Sequence, residues 1–125
     1  MATMSEPQDE EIASGGIRVA NEVIASIAAM AACEVDGVAE MDEANARHFG
    51  DWMTRQSAHR GVRVRVDPER AIHLELFLQV KSSAVVPGVA ERVQANVVEA
   101  VERMLGLEVA AVDVFVSSVA FPATA

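Results

Sequence analysis

One cysteine, no tyrosine and an aromatic content of only 4% set the first limits on this 125-residue chain. A single thiol excludes a disulfide framework and a cysteine-based zinc site. So few rings supply base-stacking platforms for nucleic acid poorly. Basic residues are short as well: 10 Lys and Arg stand against 19 Asp and Glu, for a net charge of -9. Phosphate backbones and anionic lipids are gripped by clustered Lys and Arg, so nucleic acid is not expected as a partner. Long apolar runs are missing too. The longest, 23–33, contains Ser26 and is flanked by Glu22 and Glu34, whereas a bilayer core needs roughly 20 residues, so direct membrane insertion is not expected. Glu6, Asp9, Glu10 and Glu11 precede the first base, Arg18, which is the reverse of a signal peptide's opening. A cytoplasmic location follows as the expectation, and any position at the membrane would depend on a partner.

What is present is the material of a core. Apolar residues make up 51% of the chain and charged residues 23%. A chain of this length hides about two-thirds of its unfolded surface on folding, enough for one domain without staples. Residues 1–14 are acidic and aperiodic and are expected to be a disordered lead-in, with Gly15-Gly16 opening a single domain over 15–121. From about residue 21 to 35, Ile24, Ile27, Ala28, Ala31 and Val35 recur at spacings of three and four, the stripe of a helix with one buried face. Asp36-Gly37 is expected to end it. Phe49, Trp52 and Met53 fit a short amphipathic helix over roughly 43–57, although Gly50 interrupts it.

The next stretch reads as a hairpin. Val62, Val64 and Val66 alternate with Arg63 and Arg65, and Asp67-Pro68-Glu69-Arg70 supplies turn chemistry. Ile72, Leu74, Leu76, Leu78 and Val80 then share one face, opposite His73, Glu75, Phe77 and Gln79. Pro87 suits a first helical turn, and Val89, Val93, Val97, Val101 and Leu105 repeat every four residues up to Gly106. A last strand places Val112, Val114 and Val116 inward and Ala111, Asp113, Phe115 and Ser117 outward. These elements predict an α+β two-layer sandwich: a small mixed sheet of three to four strands with two main helices on one face. The final strand arrives through a helical crossover and is expected to run parallel to the second hairpin strand, with its neighbour left open.

Chemistry is thin. His48, His59 and His73 lie on separate segments without short metal-ligand spacing, so no metal site is assigned. Cys33 sits at a helix C-terminus beside Glu34 and Asp36, a setting that disfavours the thiolate, and reads as a small buried filler. The acidic run Glu34, Asp36, Glu40, Asp42 and Glu43 lacks the alternation of a calcium loop and reads as a solvated face. No catalytic residue and no cofactor is assigned. The candidate surface for a partner or for self-association is the outer sheet face, carrying Arg63, Arg65, His73, Glu75, Phe77, Asp113 and Phe115. Phe77 and Phe115 either form an exposed apolar contact or lie under neighbouring loops or the 43–57 segment; the residues leave both open. Acids concentrate in 34–43, while Arg47, Arg55, Arg60, Arg63 and Arg65 follow with Asp51 alone against them. Complementary poles favour head-to-tail self-association, expected as a salt-sensitive homo-oligomer.

Gly16-Ile17-Arg18-Val19-Ala20, Glu34-Val35-Asp36-Gly37-Val38-Ala39-Glu40-Met41, Gly61-Val62-Arg63-Val64-Arg65-Val66, Pro87-Gly88-Val89-Ala90 and Val112-Asp113-Val114 together resemble the alkaline shock protein family of envelope stress proteins, in order and spacing, over 16–121. The chain departs from the family's pattern at Ser82-Ser83 and Gly88. The resemblance implies a non-enzymatic, abundant cytoplasmic protein of mainly Gram-positive bacteria. It also implies a role in cell-envelope homeostasis and stress, with self-assembly and an integral membrane protein as anchor. The alternative from another class is a small regulatory domain that binds a metabolic enzyme or a small ligand.

Overall fold

The computed structural model describes residues 11–14, 17–48 and 58–122. Its elements, in chain order, are β1 (Glu11–Ser14), β2 (Ile17–Ala20), α1 (Asn21–Cys33), β3 (Val38–Met41), α2 (Glu43–His48), β4 (Ala58–His59), β5 (Val62–Val66), β6 (Ile72–Lys81), α3 (Val86–Leu105) and β7 (Val109–Ala120). β1 and β2 form a separate antiparallel hairpin. The expectation of a disordered stretch up to residue 14 is therefore corrected for 11–14, where backbone pairing with 17–20 orders an acidic segment that has no apolar period of its own. Residues 1–10 lie outside the described residues.

The main sheet is built around β6. One edge of β6 pairs antiparallel with β5 over Ile72–Leu76 and with β3 over Leu78–Val80; the other pairs parallel with β7. β4 adds to β5, so the sheet has five strands, more than the three to four expected. β3 and β4 escaped because runs of four and two residues carry too little alternation to register. The parallel arrival of β7 follows the crossover through α3, and its neighbour is β6.

Hydrophobic burial explains the layering. Ile72, Leu74, Leu76, Leu78 and Val80 are each no more than 1% exposed, beneath α1 and α3. α1 presents Ile24, Ala25, Ala28, Ala31 and Ala32, α3 presents Val89, Val93, Val97 and Val101, and the two helices pack on each other. The alanines let the helices approach closely, and Asn96 Nδ2 donates to the Ala31 carbonyl at 2.7 Å between them. α1 lies over β3 and β5 and α3 over β7, all on one side of the sheet.

Of the two glycines expected at helix ends, one is found there. Gly106 takes the left-handed conformation (φ 69°) at the end of α3, as the sequence predicts, with its N–H on the Glu102 carbonyl. Gly37 does not cap α1, which ends at Cys33. It sits four residues on at φ 104°, in the turn into β3, where a Cβ would lie 2.6 Å from Val89 Cγ2. Of the helix expected over 43–57, Glu43–His48 is helical; Phe49, Trp52 and Met53 lie outside the described residues.

Candidate interaction face

The pairing registers bring all seven predicted surface residues onto one side of the sheet, away from α1 and α3. Arg65 stands opposite His73, and His73 opposite Ala111; Arg63 stands opposite Glu75, and Glu75 opposite Asp113; Phe77 stands opposite Phe115. Two of these rows cross β5, β6 and β7, and the phenylalanine row crosses β6 and β7. Opposite charges and stacked rings facing each other, as at Arg63–Glu75 and Phe77–Phe115, contribute roughly 0.2–1 kcal/mol each, whereas the like charges of Glu75 and Asp113 oppose their pairing.

The rows differ in accessibility. Arg63 is 5% exposed, and its Nη1 lies 3.3 Å from Glu75 Oε1, which keeps this charge paired where it is removed from water. Arg65 and Asp113 are exposed, and His73 and Glu75 are half-buried. His73 Nε2 lies 3.0 Å from Asp67 Oδ2 in the β5–β6 turn. Asp67 Oδ1 also accepts from the N–H groups of Glu69 and Ala71. The bond from His73, then these N–H groups, hold the Asp67 carboxyl below its ordinary range.

The phenylalanine row is covered. Phe77 is 3% exposed although it lies outside the helix-side core, and its ring stacks on that of half-buried Phe115 at a centroid distance of 4.8 Å and 16° between planes. α2 contacts β4, β5 and β6 there, and its Ala46 is buried without belonging to the helix-side core. Asp42, just before α2, anchors this cover: its N–H donates to the Phe77 carbonyl at 2.7 Å, and Oδ2 accepts from Ser117 Oγ at 2.5 Å. The Ser117 hydroxyl, followed by Asn45, lowers the Asp42 pKa. Against the two readings left open for Phe77 and Phe115, Phe77 is buried and Phe115 half-buried, with the start of α2 beside β6 at this point.

Cys33 is exposed and not the buried filler expected, because α1 turns this last position away from the core. Its thiol pKa is raised, chiefly by partial desolvation, with the Glu40 charge adding to it. Glu34, Asp36, Glu40 and Glu43 are exposed, forming an acidic surface. Of the arginines in the proposed basic pole, Arg60 and Arg65 are exposed, whereas Arg63 is buried; the Arg47 and Arg55 side chains lie outside the described residues. Among the described residues no three His, Cys, Asp or Glu side chains are grouped to hold a metal, and no helix is long and apolar enough to cross a membrane.

The sequence reading passed over one apolar end of the molecule. Val85 is 73% exposed and Phe121 76%. Phe121 and Pro122 border a surface hollow of about 360 Å³ with Lys81, Ser82, Ser83 and Ala120. The signal was available: Val85-Val86 and Phe121 are apolar residues at element ends, where polar loop residues are the rule.

Known proteins align with this architecture over almost its whole length. The Bacillus subtilis protein YloU, described as uncharacterized, is 33% identical over 107 residues, covering 84% of this chain and 88% of its own. YqhY from the same organism, also described as uncharacterized, is 30% identical over 112 residues, 90% of this chain and 82% of its own. No solved structure matches the chain significantly. A family profile matches residues 9–121, the hairpin and the whole two-layer domain together, and by that match the chain belongs to the alkaline shock protein 23 family, which has a cell envelope-related function.

Proposed function

We propose that this protein is a non-enzymatic interaction module of the cytoplasm, which self-associates and is held at the inner face of the cell membrane by an integral membrane partner. It would act there as a scaffold in the envelope stress response. The observation that carries this reading is the outer sheet face, where Arg65, His73, Glu75 and Asp113 stand in register on a rigid sheet, in a chain whose family has a cell envelope-related function. Side chains fixed on strands present a defined charge pattern, which gives a protein partner register and specificity. A net charge of -9 opposes direct adsorption to anionic lipid, so a protein intermediary is the consistent route to the membrane. Exposed acids over 34–43 and exposed Arg60 and Arg65 offer opposite charges for contact between copies.

Capture of the tagged full chain from a detergent-solubilised membrane fraction tests the reading, alongside flotation with protein-free anionic vesicles. Recovery of one integral membrane protein, with no flotation on bare vesicles, is expected. Recovery of a soluble enzyme instead would overturn the scaffold reading in favour of a regulatory domain, and flotation on bare vesicles would remove the need for an anchor.

A further inference from the structure

β7 is 12 residues long, pairs with β6 along one edge, and among the described residues meets no strand along the other. Open edges are usually blunted by lysine, proline or shortness, because their free N–H and C=O groups template pairing with another chain. Over 109–120 there is a single charged residue, Asp113, and neither lysine nor proline. Register shifts against β6 at Ile72/His73 and Leu78/Gln79 bracket a regular run from Ala111 to Val116. Asn96 on α3 faces α1, and Gln94 lies on the opposite flank of the same helix, where its Nε2 donates to the Val112 carbonyl at 2.9 Å. That places the Val112 carbonyl on the open side of β7. Strand alternation turns the backbone groups of Val114 and Val116 the same way.

We propose that β7 is a self-pairing edge: two copies of the chain join β7 to β7, antiparallel, about a twofold axis at Val114, so that their two five-stranded sheets become one. This deepens the self-association proposed above and rests on it, but names a different contact from the charged poles.

A second copy is the occupant that the strand itself favours. A twofold contact must be self-complementary, and residues directly opposite across an antiparallel pair share a face. Centred on Asp113, the pairing would set two carboxylates against each other, which destabilises. Centred on Val114, it sets Val114 against its copy, Val112 against the second copy's Val116, and Asp113 against the second copy's Phe115. No like charges meet. Val114 and Val116 belong to the helix-covered side. A second copy brings its own helices to cover its half of the joined valine row, which an isolated extended peptide does not. The Val112 carbonyl retains a lone pair for the incoming N–H while Gln94 holds the other. Each copy carries a net charge of -9, so screening by salt strengthens this contact, whereas it weakens a contact between opposite poles.

The test is sedimentation of the full chain at low and high sodium chloride, with amide hydrogen exchange at two protein concentrations and the variant Val114→Pro. Proline is tolerated on an edge strand where its missing N–H faces outward. The expected results are a dimer that tightens with salt and Val114 and Val116 amides that exchange more slowly as concentration rises. Val114→Pro removes two central hydrogen bonds per dimer and is expected to raise the dissociation constant about tenfold or more. If this variant does not fold, the exchange result on the native chain decides. Association without concentration-dependent protection in β7, or at native strength in folded Val114→Pro, overturns the edge while leaving self-association standing. A monomer at every concentration and salt overturns both.

Discussion

Replacing Gly37 by alanine tests the packing of α3 against the turn that follows α1. Gly37 has φ 104°, where a side chain is strained, and an added Cβ would sit 2.6 Å from Val89 Cγ2 and 3.3 Å from Ala84 Cβ. Neither neighbour yields easily: Val89 is 2% exposed, and the Gly37 carbonyl is itself held by the Lys81 N–H at 2.8 Å. Backbone strain of this kind costs about 1–3 kcal/mol, and one excess carbon in a packed core costs about the same again. Gly37→Ala is therefore expected to remove about 2–6 kcal/mol, a large share of the roughly 5–15 kcal/mol that holds a domain folded. Urea denaturation followed by circular dichroism, at a concentration where the chain is monomeric, reads this as a lower midpoint at unchanged slope. Gly88→Ala is the control: its added carbon meets only Arg92 Nη1 at 3.4 Å, its φ is not positive, and it lies in α3, so a gain of about 0.5–1 kcal/mol is expected. A second control separates strain from clash, since Val89→Ala should cost less in the Gly37→Ala background than alone. A loss below about 1 kcal/mol in Gly37→Ala, or an equal loss in Gly88→Ala, would refute the reasoning.

Phe77→Ala should cost about 3–5 kcal/mol in the same assay, because a buried ring and its stack on Phe115 are lost together. Asn96→Ala removes the 2.7 Å bond to the Ala31 carbonyl and should cost about 1 kcal/mol, with hydrogen exchange rising first at the end of α1. Asp42 has a folded pKa below its ordinary value, so its contribution to stability is present above the unfolded carboxylate pKa and is lost as pH falls through the folded one. Ser117→Ala removes the largest cause, and carbon-detected titration by nuclear magnetic resonance should show the Asp42 pKa move up. An unchanged midpoint would mean that the hydroxyl does not hold the carboxylate.

Where burial imposes a period, the fold was legible. The five-residue apolar row of β6 and the four-residue repeat of α3 each record a face sealed from water, and both elements form where the pattern places them. Gly106 was legible for a local reason, since an end of helix needs a left-handed residue. Gly37 misled: it has the required freedom, but the turn and the approach of Val89 use it, and a sequence holds no trace of which neighbour comes close. β1 was missed because its order comes from pairing with β2 and not from a pattern of its own. On the outer face, alternation gave the seven residues and their common side. It did not give their accessibility, because the ion pair that buries Arg63 and the helix that lies beside Phe77 are set by tertiary contacts.

That difference in accessibility decides where on the outer face a partner has something to hold. Along β6 the rows run from His73, beside the β5–β6 turn, through Glu75 to Phe77, beside α2. At the α2 end, the apolar ring that would have made the strongest anchor is spent inside the molecule, and Asp42 is tied to Ser117 across it. Away from α2, Arg65 in the row beside the turn and Asp113 in the next row remain exposed, flanking the Arg63–Glu75 ion pair on the same face. Under the proposed function the recognition is therefore electrostatic and centred on Arg65, His73 and Asp113. Rim charges of this kind act mainly on association rate and its salt dependence. Arg65→Glu should accordingly slow capture of the membrane partner and flatten its dependence on ionic strength, while leaving the thermal midpoint of the isolated chain nearly unmoved. A variant that captures the partner at the native rate would place the contact elsewhere, with the exposed apolar end around Val85 and Phe121 as the next surface to alter.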